Sequence, residues 1–96
     1  MTEFYEQVKE RLMRYARINT ESDPHSTSVP TTSCQHDLAS VIYEELQKIG
    51  ATNVYYDKDT CVVYGSLEAN VKTGRAIGFV THMDTAPDAS GKDVKP

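Results

Sequence analysis

The stretch "AIGFVTHMDTAPD", residues 76–88, decides how this chain is read. Its first half, 76–82, is a continuous apolar run ending in a histidine. Such runs mark strands that are covered on both faces, as in the sheets of α/β proteins. Three acceptor side chains follow within six residues: Asp84, Thr85 and Asp88. In an extended segment, side chains two residues apart project to the same side. His82 and Asp84 are therefore expected to leave the end of the strand together. In open α/β sheets the carboxyl ends of strands are where ligand crevices form. One imidazole nitrogen can then face a metal while the other donates to the carboxylate, which fixes the tautomer and raises ligand basicity.

Upstream of this strand the hydrophobic period changes twice. Residues 2–18 carry Phe4, Val8, Leu12, Tyr15 and Ala16 on one helical face, with Glu3 and Glu6 in the first turn and Arg14 and Arg17 near the last. Thr2 is a candidate cap, and Glu10 precedes Arg14 by four, the favourable order for a surface pair. Residues 19–33, more than half Ser or Thr and broken by Pro24 and Pro30, read as a linker or as a functional loop. A second helix follows. Thr32 and Gln35 have the spacing of a capping box, and Leu38, Val41, Ile42, Leu46 and Ile49 form its apolar stripe. Gly50 suits the position just past its end. "NVYYD" and "CVVYGSL", separated by "KDT", have the period and composition of a hairpin. Residues 68–75 are a polar connection, and the stretch from Met83 to Pro96 reads as loop. The expected fold class is α/β: two N-terminal helices followed by three strands, with no internal repeat.

Composition narrows the function. Ninety-six residues make one domain at most, and 39% hydrophobic residues with no Trp allow a modest core. The net charge is −4 and no Lys/Arg run appears, so nucleic acid is not an expected partner. Charges throughout the first helix leave no secretory apolar region, and no apolar stretch nears the ~18 residues that span a bilayer. The expectation is a cytoplasmic protein without a membrane partner. Cys34 and Cys61 lie far apart, outside any CxxC context, and read as small half-buried hydrophobes. A pairing between them is disfavoured in a reducing compartment.

The other candidates have plainer readings. His25 sits in the Ser/Thr-rich loop and His36 in the first turn of the second helix, where polar surface residues are the ordinary case. Glu44 and Glu45 are a tempting carboxylate pair, but they sit mid-helix among charged neighbours and read as a solvated face. A hydrolytic zinc needs three protein ligands and an open position. Spacing supplies one well-placed histidine and one acid, and goes no further.

Several stretches together resemble the peptidase T family of metal-dependent tripeptide aminopeptidases. "RYARINTESD" is similar to the end of that family's first helix, "STSVPTTSCQHDLASVIYEELQKIG" to its loop and second helix, and "IGFVTHMDTAPDASGKDVKP" to its first metal motif and downstream loop. The short H-x-D core is shared with carboxypeptidases, deacylases and desuccinylases of the same group. The long match around it favours peptidase T over a related amidase or deacylase. The resemblance implies a peptidase releasing the N-terminal residue of tripeptides, with two zinc ions in the complete site. It implies His82 as a ligand of one zinc and Asp84 as the residue that orients it. Thr60 and Cys61 stand where the family usually has Gly-Tyr. The family's bridging aspartate, glutamate pair and distal histidine lie downstream of this motif, and Glu44 and Glu45 precede His82, so they do not match that pair. Residues 1–96 are accordingly expected to be the N-terminal segment of a single catalytic domain, a fragment inactive alone. A non-catalytic truncated module is the reading from another class. An apolar strand at 76–80 left as an open edge would invite a homo-oligomer.

Overall fold

A computed structural model describes residues 2–72 and 74–96; Met1 and Thr73, the latter within the expected polar connection, lie outside the described residues. Its elements, in chain order, are α1 (Thr2–Ala16), α2 (Gln35–Lys48), β1 (Thr52–Asp57) and β2 (Val62–Ser66). The two strands pair antiparallel, with Asp57 opposite Val62, Tyr56 opposite Val63 and Tyr55 opposite Tyr64. α2 lies across this hairpin, and Leu38, Ala39 and Cys61 are the buried apolar residues. Among the described residues, no helix is long and apolar enough to cross a membrane.

α2 ends as its sequence predicts. Gly50 takes φ +86°. The Gly50 N–H donates to Gln47 O and the Ala51 N–H to Leu46 O, at 3.2 and 3.0 Å, which closes the last turn with the paired bonds of a Schellman motif. A Cβ added at Gly50 would touch nothing within 4 Å, so only backbone strain opposes one. Gly50→Ala should therefore cost about 1 kcal/mol, the usual penalty of the left-handed conformation. A urea midpoint lowered at unchanged m-value is the expected reading.

The start of α2 departs from expectation. Thr32 and Gln35 do touch, but as side chains: Gln35 Nε2 donates to Thr32 Oγ1 at 3.0 Å. The residue before the helix is Cys34, already in helical conformation, and it makes no side-chain cap. A capping box requires the threonine to be non-helical at the cap itself. Here the chain turns one residue pair later, and Thr32 is used elsewhere.

The hairpin is present with a four-residue turn, 58–61, and β2 begins at Val62 where Cys61 was expected. Asp57 Oδ1 accepts the Asp59 N–H at 3.0 Å. Cys61 takes φ +58° and turns its side chain under α2, where it is buried. A second positive φ, at Asn53, accompanies the register shift between Thr52 and Tyr55. Outside, the Tyr55 and Tyr64 rings stack across the strands at 6.2 Å.

The third strand is not formed. Residues 76–81 have no regular structure, and Ile77, Phe79 and Val80 are 83%, 93% and 100% exposed instead of covered on both faces. A strand exists through its ladder. β1 and β2 pair only with each other among the described residues, so the run has apolar side chains and no neighbour. α1 shows a related departure. It forms, two residues shorter than expected, yet buries none of its residues, and Phe4, Val8 and Leu12 remain exposed. Its apolar stripe is real in sequence and unpartnered in most of its length.

Candidate metal-ligating pair

The chain regains a partner just beyond the apolar run. Glu21 and Thr85 form a parallel β-bridge, with Ser22 N–H donating to Thr85 O at 2.9 Å and Thr85 N–H donating to Thr20 O at 3.1 Å. Thr20 is the buried polar residue among the described residues, 3% exposed. The loop, expected as a linker or a functional loop, doubles back and docks its first residues beside the His82 segment. Its far half is stitched by short bonds, such as Asp23 N–H to Thr31 Oγ1 at 3.1 Å.

His82 and Asp84 come together as their spacing implies. His82 Nδ1 lies 2.7 Å from the backbone oxygen of Asp84 and 3.1 Å from its Oδ1. A backbone carbonyl and a carboxylate only accept, so Nδ1 carries a proton, and in the neutral ring Nε2 is left with the lone pair. The imidazole is 81% exposed and the carboxylate 40%. Two hollows adjoin the ring. One, about 270 Å³, lies toward Gln35, Ile42, Cys61 and Val63; the other, about 680 Å³, lies toward Leu12, Ile18, Leu38 and Val94. A metal ligand requires a held ring with one nitrogen outward. His82 has both.

The remaining candidates stay apart from it. His36 Nδ1 bonds the Tyr56 hydroxyl beneath α2, and the two rings lie 5.8 Å apart. For His25 the bond of note is from its backbone N–H to Asp23 Oδ1, at 2.9 Å. Both cysteines are free thiols. Burial, the larger influence, pushes the Cys61 thiol up, and its hydrogen bond with Tyr56 only partly opposes this. Among the described residues no three or more His, Cys, Asp or Glu side chains gather where a metal ion would be held.

Glu45 corrects the reading of a solvated pair. Its side chain is 15% exposed, and Oε1 accepts from Arg11 Nε at 2.7 Å and Arg14 Nη2 at 2.8 Å, while Oε2 accepts from the Tyr15 hydroxyl. It ties α2 to α1. Burial pushes its carboxyl up, but the hydrogen bonds and charges of Arg11 and Arg14 together outweigh this and hold it below the ordinary value. Glu44 is exposed, as expected.

With the geometry of the pair described, comparison with known proteins gives the family that the chain resembles. The chain is similar to peptidase T. It is 44% identical over 90 residues to peptidase T of Alkaliphilus oremlandii, 91% of this chain and 22% of that protein. It is 46% identical over 92 residues to the Geobacillus kaustophilus peptidase T, and 44% over 92 residues to that of Clostridium acetobutylicum, in each case 95% of this chain and 22% of the relative. The resemblance read from the residues is thereby borne out along the chain, which spans about a fifth of the length of these relatives. No family model matches it.

Proposed function

We propose that this chain is the first part of the catalytic domain of a zinc-dependent tripeptide aminopeptidase, peptidase T-like, working in the cytoplasm on small peptides. The observation that carries this is the His82–Asp84 pair, with Nδ1 held and the ring largely exposed, in a chain similar to peptidase T over nearly its full length. His82 is the ligand to one zinc, and Asp84 holds its tautomer. Zinc bound there would polarise the scissile carbonyl and lower the pKa of a coordinated water. The residues fit one edge of such a site and do not close it, since a hydrolytic zinc takes three protein ligands. The other ligands and the general base belong to parts of the enzyme beyond this segment.

Ligand count gives the test. The purified 96-residue chain should bind zinc at best weakly and release no amino acid from tripeptides above background. Robust hydrolysis by it, abolished by a chelator, would overturn the assignment of these residues as an incomplete site. In the complete enzyme, tripeptides should be cleaved in preference to N-acyl amino acids. The reverse preference would move the protein to the amidases or deacylases, and no hydrolysis of either would leave a non-catalytic module.

A further inference from the structure

Nothing packs around the His82 ring firmly enough to fix it, because the side chain is 81% exposed. Its orientation rests on hydrogen bonds, and the shorter one, 2.7 Å, goes to the backbone oxygen of Asp84. That oxygen shares a rigid plane with the Thr85 N–H, because the peptide bond between them does not rotate. The Thr85 N–H is in turn held at 3.1 Å by the carbonyl of Thr20. One end of the plane is gripped by residues 20–22, and the other end receives the imidazole proton.

The grip has supports on both sides. Thr32 Oγ1 donates to Glu21 O at 2.7 Å and accepts from Gln35 Nε2 at 3.0 Å, which anchors the strap to the entry of α2. Glu21 Oε1 accepts the Gly91 N–H at 3.2 Å, which anchors it to the loop beyond the pair. A Cβ at Gly91 would stand 3.0 Å from both Asn19 Oδ1 and Thr85 Oγ1, so the two segments meet closely here. Ser22 Oγ adds a bond to Thr85 O at 3.0 Å.

We infer that Glu21 and Thr32 are positioning residues, which act through the Asp84–Thr85 peptide to hold His82 in the Nδ1–H tautomer with Nε2 free for a ligand. The inference rests on the proposed zinc role only for its purpose, not for its geometry.

The tautomer ratio of His82, read from long-range proton–nitrogen NMR of the 15N-labelled chain at a pH where the ring is neutral, tests it without metal. Thr32→Val keeps the shape and removes the hydroxyl, both as donor to Glu21 O and as acceptor from Gln35 Nε2. It should lower the Nδ1–H to Nε2–H ratio by at most about fivefold, the worth of the one ordinary hydrogen bond at His82 that it loosens, and speed exchange of the Thr85 amide. Thr32→Ser should restore both. Glu21→Ala, which leaves the entry of α2 intact, should act in the same direction from the Gly91 side. A ratio unchanged in Thr32→Val and Glu21→Ala would overturn the inference, whether or not the Thr85 amide exchanges faster. Failure of the complete enzyme to bind zinc would count against the tripeptidase reading and leave this result standing.

Discussion

Glu45→Ala should release α1 from the rest of the molecule. α1 buries none of its residues, so little apolar contact holds it in place, and its polar ties to α2 converge on this one carboxylate. Freed from it, a 15-residue helix is marginal in water. α1 holds slightly more than half of the α-helical residues, 15 against 14 in α2, so helical circular dichroism should fall by roughly half while the β1–β2 hairpin persists. Glu44→Ala, one residue away on the exposed side, should change it little. Acid should imitate the substitution. The Glu45 carboxyl titrates below its ordinary value in the folded chain, so its contribution is fully present above that ordinary value and is lost as pH falls through the lowered one. Glu45→Gln should remove this acid transition. Retention of full helicity by Glu45→Ala would mean that the exposed stripe of Phe4, Val8 and Leu12 finds cover by another route.

The contrast between Glu44 and Glu45 shows what local patterns carry. A helix is a local object, so periodicity placed α1 and α2, and the Gly50 stop followed from a single residue whose φ is +86°. The hairpin followed from a change of period, with an error of one residue at Cys61. What a helix faces is not local. Two adjacent glutamates differ only by the 100° turn between them, and which one meets Arg11 and Arg14 depends on where another helix lies. The third strand failed for the same reason. Apolar side chains at 76–80 signal a wish for cover, but the ladder that makes a strand belongs to its neighbours. His82 and Asp84 were legible because they stand only two residues apart, so their contact needs no distant element. The strap at 20–22 was not, since its partner Thr85 lies more than sixty residues away and Ser/Thr composition alone reads as linker.

The second large effect concerns those two residues, and it separates them. Within the proposed tripeptidase, His82→Ala removes a zinc ligand outright, and both metal content and hydrolysis should fall by more than the 10–100-fold that loss of an orienting partner brings. Asp84→Ala should lie at the low end of that range, about tenfold. The reason is geometric. The nearer acceptor for Nδ1 is the backbone oxygen of residue 84 at 2.7 Å, which any substitution retains, and the carboxylate stands further off at 3.1 Å. The side chain then adds negative charge and ligand basicity, while the main chain keeps the tautomer. Zinc titration of the complete enzyme, with His82→Ala and Asp84→Ala side by side, measures the difference. Equal losses for the two would mean that the carboxylate, not the carbonyl, holds the ring, and would make Asp84 a full partner in gripping the metal.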